Sequence, residues 1–526
     1  MQPIKIKLTA TFVILVIIGI ELNLLGFPKL SRPTFKNAIE ESGIKSISYS
    51  RGIIWADYNN DDDIDLIIFG FETKFYRNNG DGTFIDMTKD SGLKKLKSSK
   101  AGLVGNFDDD NCPDLFVNYL DSGINKQAFY KNNCNGTFTD STQKANLKDS
   151  HYVLVGAAAA DYNNDGLLDI YVADQGDVLH PPDYKAKPNT LYKNNGNGTF
   201  RDVTSEAGVM GFPKCPSTRL PREGGRLKLK PGQEFKLSFQ PIWFDYNNDG
   251  KIDLFITNDN GISPLYKNNG NGTFRDATEE AGLCKVGTGM GVTVGDYNNN
   301  GYLDMYVTNV GQDYFWENNG DGTFSEVSQI NGTEDKLSLG WGTGFLDYDN
   351  DGYLDLHVVN GIAGEEKMAE DMTDKLYKNN GREVFINVTE NEGIMGDYPK
   401  ESGALSDYNN DGFVDIVVIP EAETEPRFRL YQNQKNNNNW VSIKLIGTKS
   451  NIDAVGARII LKAGSLTQMR EITMGSSFLG QNSLIQTFGL GKNNMIDSLD
   501  VIWPGGNRQT LKNPGIKKLI IIEESK

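Results

Sequence analysis

An acidic nine-residue phrase recurs along the chain and constrains its fold more than any other feature. It reads D-Y-N-N-D-D-D-I-D from Asp57 and D-Y-N-N-D-G-L-L-D from Asp161. The seven copies begin at residues 57, 106, 161, 245, 296, 347 and 407, with spacings of 49, 55, 84, 51, 51 and 60 residues. A period near 50 residues predicts a propeller, a solenoid or another array in which each repeat is one supersecondary unit.

Each repeat contains the signals for four strands. A short β-type run follows every acidic phrase, as in L-D-I-Y-V-A from Leu168, and a phrase such as Y-K-N-N-G-N-G-T-F at Tyr192 comes next. Asn-Gly between strand-forming residues is a strong hairpin signal. Each unit therefore reads as strand, acidic turn, strand, loop, strand, Asn-Gly turn and strand, which is one blade of a β-propeller.

The two ends of the repeat region indicate a closed ring. The last unit has its acidic loop at Asp407 and a third strand at 428–431, but it lacks the final T-F strand. The missing T-F pair stands at Thr34-Phe35, with the same spacing to a following Ser-Gly as in the first unit. We therefore expect the N-terminal strand to complete the last blade, which leaves no open sheet edge.

The predicted fold class is all-β. We expect a seven-bladed β-propeller of four-stranded antiparallel blades over residues 31–435, followed by a small all-β domain over residues 436–526. The C-terminal domain is predicted from short β runs with Gly and Pro turns after the Asn-rich linker 436–439. Trp440 and Trp503 are expected in its core, although exposed indoles would instead stack on a sugar.

The acidic phrase has the donor pattern of a cation-binding loop. With its residues numbered 1 to 9, positions 1, 3, 5 and 9 are Asp or Asn in every copy, and position 6 is Gly in five of seven. Alternate oxygen side chains on a tight turn converge on one point, and a residue that tolerates positive φ lets the loop turn. Oxygen ligands without His or Cys favour Ca²⁺ over Zn²⁺, and Mg²⁺ demands a stricter octahedral geometry. The sequence therefore predicts up to seven Ca²⁺ ions, one for each blade.

The predicted metal ligands are the side chains at those four positions. They are Asp57, Asn59, Asp61, Asp65, Asn106, Asp108, Asp110, Asp114, Asp161, Asn163, Asp165, Asp169, Asp245, Asn247, Asp249, Asp253, Asp296, Asn298, Asn300, Asp304, Asp347, Asp349, Asp351, Asp355, Asp407, Asn409, Asp411 and Asp415. The alternative is that the phrase is only favourable turn chemistry, but seven corresponding copies favour metal. The copy at 106 starts with Asn and contains Pro113, and the copy at 296 has only two Asp, so these two are expected to bind most weakly.

Charge and composition exclude several classes of function. The net charge is −17, which excludes a basic nucleic-acid footprint, and the 3 His residues do not support a His-based zinc site. The sequence has no nucleophile elbow, P-loop, dinucleotide fingerprint or H-E-x-x-H motif. Catalytic residues are therefore not assigned.

The N-terminal segment predicts export. Lys5 and Lys7 precede an apolar run from Leu8 to Ile20, which has the length of a signal-peptide core but no small-x-small cleavage site after it. Residues 1–30 are thus either a cleaved signal peptide or an uncleaved signal-anchor, and both place the remaining chain in the cell envelope or outside the cell. Contact with the membrane is expected only through this segment.

The four cysteines predict two disulfides. Cys112 lies in the acidic turn of the second unit and Cys134 in the Asn-Gly turn of that unit, and both turns fall at one end of a four-stranded blade. Cys215 and Cys284 follow equivalent A-G phrases in consecutive blade connections. We predict the pairs 112–134 and 215–284, which suit an oxidising compartment.

Two insertions interrupt the period. The first, at 209–240, is rich in Pro, Arg and Lys, and is either a binding loop or a solvated surface loop. The second, at 361–374, contains Glu365, Glu366 and Glu370 and predicts a short helix.

The repeats resemble FG-GAP/VCBS repeats, the calcium-bearing blades that also occur in integrin alpha propellers. This resemblance rests on the D-x-N-x-D-G-x-x-D and Y-x-N-N-G-x-G-T-F phrases over residues 34–433. The C-terminal strings N-I-D-A-V-G-A-R, G-S-S-F-L-G-Q-N, F-G-L-G and V-I-W-P-G-G resemble the ASPIC/UnbV domain, which commonly follows FG-GAP-type repeats.

These features predict an exported calcium-binding propeller that recognises a protein or glycan ligand at the cell surface. The alternative is a glycan-active enzyme, such as a polysaccharide lyase or hydrolase, with a reactive pair in the central pocket of the ring. Binding of a glycan without turnover would favour recognition.

Overall fold

The repeats form antiparallel sheets, and the predicted all-β class is confirmed. The computed structural model describes residues 34–45, 50–93, 96, 98–108, 110–148, 154–176, 187–215, 237–336, 338–361, 373–394, 398–420 and 428–525. The N-terminal segment 1–30 and most of both insertions lie outside these residues.

Seven sheets share one strand order, in which each strand pairs antiparallel with the next. The first three units contain β2 (Gly52–Ala56), β3 (Asp65–Phe69), β4 (Lys74–Asn78), β5 (Phe84–Asp86); β6 (Ser99–Gly105), β7 (Asp114–Asp121), β8 (Ile124–Asn132), β9 (Phe138–Asp140); and β10 (Leu154–Ala160), β11 (Asp169–Asp174), β12 (Thr190–Asn194), β13 (Phe200–Asp202). The fourth and fifth contain β14 (Leu237–Phe244), β15 (Asp253–Asp259), β17 (Leu265–Asn268), β18 (Phe274–Asp276); and β20 (Gly289–Gly295), β21 (Asp304–Asn309), β22 (Tyr314–Asn318), β23 (Phe324–Glu326). The last two contain β24 (Gly340–Leu346), β25 (Asp355–Asn360), β26 (Lys375–Asn379), β27 (Phe385–Asn387); and β28 (Lys400–Ser406), β29 (Asp415–Pro420), β30 (Arg429–Asn433) with β1 (Phe35–Asn37).

Short elements fill the connections between these sheets. β16 (Gly261–Ile262) pairs with β19 (Val286–Gly287). The described residues contain four single-turn helices: α1 (Ile39–Ser42), α2 (Thr142–Ala145), α3 (Thr204–Ala207) and α4 (Ser328–Asn331). Among the described residues, no helix has the length and apolar character needed to cross a membrane.

The first strands of the seven sheets form a closed cycle. β2 packs beside β6, and the order continues through β10, β14, β20, β24 and β28 back to β2. These strands are almost wholly buried, whereas the outermost strands bury their first residue, a Phe, and expose the two that follow, as in β5 and β9. The innermost strands therefore line one central channel, as in a propeller.

The N-terminal strand closes the last sheet, as predicted. β1 pairs antiparallel with β30, with Phe35 opposite Asn433 and Asn37 opposite Tyr431. The chain then crosses to the first unit, where the backbone N–H of Lys45 donates to the Tyr76 hydroxyl at 3.2 Å. The segment 34–45 therefore joins the last unit to the first.

One pair of contacts repeats at every junction between units. The last residue of each third strand is Asn, and its amide donates to the carbonyl at position 2 of the preceding acidic loop, at 2.7–2.8 Å. These residues are Asn78, Asn132, Asn194, Asn268, Asn318, Asn379 and Asn433. The aromatic ring at position 2 also contacts the outer-strand Phe of the following unit, and Phe35 takes that place against Tyr348 at 5.9 Å. The ring is thus held by the same contacts at all seven junctions.

The C-terminal domain consists of two packed sheets. The first contains β31 (Asn439–Ile446), β35 (Gln486–Gly491) and β38 (Leu519–Glu523), and the second contains β32 (Arg458–Ala463), β33 (Leu466–Glu471), β36 (Ser498–Ile502) and β37 (Arg508–Leu511). Trp503 is buried in its core, as expected. Trp440 is only partly buried, and its indole lies against Gly412 of the last acidic loop.

A segment of the C-terminal domain fills the central channel. Residues 474–483, which we call the plug, include β34 (Gly480–Gln481), which pairs parallel with β2. The plug forms hydrogen bonds to residues on the first strand of every unit: Ile53, Val104, Ala159, Gln240, Val292, Thr343 and Ser402. The sequence pattern did not predict this insertion.

Both predicted disulfides are confirmed. Cys112 is bonded to Cys134, and Cys215 is bonded to Cys284. The first links the acidic turn and the Asn-Gly turn of one blade, and the second links consecutive blade connections.

Candidate metal centres

Six of the seven acidic loops, each named by its first residue, share one hydrogen-bond frame. The carboxylate at position 1 accepts the backbone N–H of position 5 at 2.9–3.1 Å and that of position 6 at 2.7–3.1 Å. In loops 57, 161, 245, 296, 347 and 407, the oxygen at position 3 accepts the N–H of position 5 as well. This frame turns the oxygens at positions 1 and 3 toward the inside of the loop, and an oxygen at position 5 accepts the backbone N–H of position 7.

Two left-handed residues allow this tight turn. Position 6 has positive φ, as predicted, for example 98° at Gly352 and 68° at Asp62. Position 4 is also left-handed, as at Asn164 with φ 56° and Asn350 with φ 56°. Asn tolerates that region better than most residues with a Cβ, which explains the second Asn in the Y-N-N string.

The Asp at position 9 is buried beneath each loop. It is the first residue of the second strand in every unit, and one of its oxygens accepts the N–H of the Asn that ends the third strand. The other oxygen of Asp114, Asp169 and Asp253 has no hydrogen-bond partner in the structure. Burial raises the pKa of Asp65 and of Asp114 to about 8. A buried carboxylate without a partner is costly, and a bound cation would relieve that cost.

Loop 347 brings its carboxylates closest together. One oxygen each from Asp347, Asp349 and Asp355 lies within 4.8 Å of the others. Burial, together with the neighbouring carboxylates, raises the pKa of Asp347 and of Asp355. Three hard oxygen donors at this separation fit the ligand shell of Ca²⁺.

Loop 106 departs from the common frame. Both polar atoms of the Asn106 side chain are buried and make no hydrogen bond. The Lys131 ammonium lies between Asp108 and Asp110, at 2.8 Å from Asp110. Lysines at the same place in other units contact Asp165, Asp249 and Asp349. The sequence interpretation missed these lysines, although each directly precedes the Asn that ends the third strand.

The C-terminal domain covers the loop face of the ring with basic side chains. The Arg458 guanidinium bonds Glu471 at 2.7 Å and lies 3.2 Å from a carboxylate oxygen of Asp245. Lys444 reaches Asp57 at 3.4 Å and Asp62 at 2.5 Å. The domain therefore neutralises part of the negative charge of the loops in addition to filling the channel.

The structure places positions 1, 3 and 5 in the turn of each loop and position 9 at the start of the buried second strand. Their role as metal ligands stays a prediction. Loop 347 brings oxygens of Asp347, Asp349 and Asp355 close together, and loop 296 keeps the common frame although Asn300 stands where the other loops have Asp. In loop 106 the Asn106 side chain does not join the frame. The sequence analysis did not identify the junction Asn residues or the plug.

The sheets form a β-propeller followed by a two-sheet domain, and parts of both match known families. Residues 106–172, 245–307 and 296–358 match the family described as FG-GAP-like repeat, and residues 447–526 match the family described as ASPIC and UnbV.

Among known proteins, the chain is similar to cartilage acidic protein 1. The Homo sapiens protein is 27% identical over 366 residues, which cover 66% of this chain and 50% of that protein. The Mus musculus protein is 24% identical over 490 residues, covering 86% of this chain and 70% of that protein. The matched part of this chain thus spans about half the length of the human relative.

The chain is also similar to solved structures, among them a lectin and an enzyme. An Agrocybe aegerita lectin that recognises non-reducing terminal N-acetylglucosamine matches with a TM-score of 0.39 and 19% identity, over 69% of this chain and 84% of the lectin. The Niastella koreensis GH74 enzyme matches with a TM-score of 0.42 and 11% identity, over 93% of this chain and 69% of the enzyme.

Proposed function

We propose that this chain is an exported, calcium-binding propeller that recognises a protein or glycan partner. The observation that carries the metal assignment is the set of buried position 9 carboxylates, several of which keep an unpartnered oxygen beneath a loop of further oxygen donors. Ca²⁺ in these loops would be held by the side chains at positions 1, 3, 5 and 9. Its charge would offset the repulsion among them.

Export is supported by two disulfides among the described residues and by similarity to a protein named for cartilage. Disulfides persist in oxidising compartments, which include the cell envelope and the extracellular space. We infer a recognition role because a rigid ring with short loops suits binding at its surface better than large conformational change.

The enzyme alternative has less support. A glycan-active propeller would need a reactive pair of side chains in its central pocket, whereas the plug occupies the channel here. Phe478 of the plug packs on Trp341 at 4.8 Å and on Phe239 at 5.7 Å. A glycan array combined with product analysis on the exported chain would separate the two functions. Binding without turnover is expected, and release of shortened glycans would contradict the proposal.

Chelation of Ca²⁺ is expected to lower the melting temperature by about 5 °C or more. Ions that bind only the folded state stabilise it by mass action, and two sites at 100 times Kd contribute roughly 5 kcal/mol. Calcium should restore the melting temperature better than an equal concentration of magnesium. An unchanged melting temperature after exhaustive chelation would contradict the metal assignment.

A paired substitution locates the effect in the loops. Asp355→Asn keeps the size of the buried side chain but removes one charged ligand of loop 347, so calcium should stabilise this variant less than the parent chain. Asp321→Asn makes the same chemical change in an exposed hairpin turn, where the second, third and fourth units already have Asn. The control should respond to calcium like the parent chain, and an equal loss in both variants would refute the assignment to loop 347.

A further inference from the structure

One position on the third strand lies beside the acidic loop of the same unit. It is the residue directly before the Asn that ends the strand: Arg77, Lys131, Lys193, Lys267, Glu317, Lys378 and Gln432. Four of these residues are lysines, and each contacts a carboxylate of the acidic loop in its own unit. For example, the Lys193 ammonium lies 3.1 Å from Asp165, and that of Lys267 lies 3.0 Å from Asp249. A side chain at this position can therefore reach the donor atoms of the loop.

The fifth unit has the opposite charge at this position. Glu317 is half-buried, as the four lysines are, and its carboxylate accepts a hydrogen bond from the hydroxyl of Tyr297, which is position 2 of loop 296. Burial raises the pKa of Asp304 at position 9, and the negative charges of Asp296 and Glu317 raise it further. Glu317 therefore acts on its loop as the lysines act on theirs, but with a negative charge.

The loop of the fifth unit lacks one carboxylate of its own. Position 5 is Asn300 in loop 296, whereas it is Asp in the other six loops. Asn for Asp in the loop and Glu for Lys on the strand thus occur together in a single unit. The two exchanges are complementary, because one removes a carboxylate from the loop and the other brings a carboxylate to it.

Loop 296 also differs from the others in its protein cations. In each of the other six loops, a lysine ammonium lies 3.6 Å or less from a loop carboxylate; these residues are Lys444, Lys131, Lys193, Lys267, Lys378 and Lys435. Among the residues that the structure describes, no Lys or Arg makes such an ion pair with Asp296 or Asp304. The guanidinium of Arg470 bonds the Met469 carbonyl and the Gln468 side chain instead. The negative charge of loop 296 is therefore left for an external cation to offset.

We propose that Glu317 supplies the third carboxylate of loop 296 and makes this loop bind Ca²⁺ more tightly than loops 161 and 245. This inference rests on the proposed calcium function. Calcium affinity in oxygen-rich loops depends on the number of charged ligands. Loops 161 and 245 have three carboxylates each, but a lysine pairs with one of them, whereas loop 296 together with Glu317 has three and no such pair. The order of affinities is thus the reverse of the one that the loop residues alone indicate.

Hydrogen exchange measured by mass spectrometry ranks the loops in the full chain. Exchange of backbone N–H groups is followed in peptides that cover 161–169, 245–253 and 296–304, over a series of buffered free Ca²⁺ concentrations. The concentration that gives half-maximal protection, the calcium midpoint, should be about threefold or more lower for loop 296. An equal or higher midpoint for loop 296 would overturn the proposal and leave the calcium function intact. Absence of calcium-dependent protection in all three loops would overturn both.

Substitutions assign the effect to Glu317. Glu317→Lys installs the residue that four other units have here, so the fold should persist, and the calcium midpoint of loop 296 should rise about tenfold. Glu279→Lys makes the same change at an exposed position after the outermost strand of the fourth unit, and it should leave that midpoint unchanged. The reciprocal change, Lys193→Glu, should lower the calcium midpoint of loop 161. An unchanged midpoint of loop 296 in Glu317→Lys would refute the role of this residue.

Discussion

A chain that begins at residue 46 is expected to lose its closed ring and to unfold at a much lower temperature. The deletion removes β1, and with it the backbone pairing to β30 at three positions. It also removes Phe35, which is 2% exposed and packs with Tyr348, and the buried Ala38 and Ile44. Loss of one buried Phe alone costs about 3–5 kcal/mol, so the total free energy of unfolding should fall by more than that.

The bare edge has a second consequence. Without β1, strand β30 exposes unpaired N–H and C=O groups along one side, which promotes pairing with other chains. We expect aggregation on heating, measured by light scattering alongside calorimetric melting. A chain that begins at residue 34 is the matched control, because it keeps β1 and should melt like the longer chain. If the two truncated chains melted at the same temperature, closure by this strand would be wrong.

Features that repeat could be predicted from the sequence. The seven units can be compared with one another, and this comparison shows that the last unit lacks its T-F strand. It also places Phe35 in that strand, as the structure confirms. The pair Cys112 and Cys134 followed from the same reasoning, because both residues occupy known turns of one blade. The acidic loops were also assigned correctly as turns, because Asp, Asn and Gly at fixed positions satisfy local hydrogen bonds whatever the surroundings.

Contacts between distant segments could not be predicted in this way. The plug is short and mostly uncharged, and nothing in its own sequence indicates that its partners lie on seven different strands. Arg458 likewise reads as an ordinary strand residue, yet it meets Asp245 more than 200 positions away along the sequence. Trp440 is expected in the core of the C-terminal domain because large apolar residues are usually buried. In the structure its indole instead packs against Gly412, which belongs to the ring.

The Asn residues at the junctions between units combine a local contact, which the sequence predicts, with a contact to a distant segment, which it does not. Six of the seven belong to the turn that follows the third strand, and the side-chain oxygen of each accepts a turn N–H, for example that of Gly80 at Asn78 at 3.0 Å. Its amide nitrogen, however, bonds the carbonyl of the preceding acidic loop. The local turn motif thus accounts for the hydrogen bond of the side-chain oxygen. The hydrogen bond of the amide nitrogen depends on the packing of neighbouring units in the ring.

Disruption of the plug is expected to loosen both the ring and the C-terminal domain. Gly475 has φ 89°, and a Cβ at this position would lie 2.4 Å from the carbonyl oxygen of Ala157 and 2.8 Å from the Cα of Ala158. These are backbone atoms of an inner strand, which cannot move without shifting the third sheet. Gly475→Ala should therefore add a steric cost of roughly 1–3 kcal/mol to the cost of left-handed backbone for alanine.

Gly505 provides the matched control for this prediction. It has φ 87°, nearly the same as Gly475, but a Cβ there would meet no atom within 4 Å. Gly505→Ala therefore carries the backbone cost alone, about 1–2 kcal/mol, and the difference between the two variants measures the fit of the plug in the channel. Urea unfolding and limited proteolysis would measure it, with faster cleavage of the C-terminal domain expected only for Gly475→Ala. Equal destabilisation by both substitutions would mean that the plug makes no tight contact with the ring, because the added methyl group at residue 475 would then cause no steric cost beyond that of the backbone.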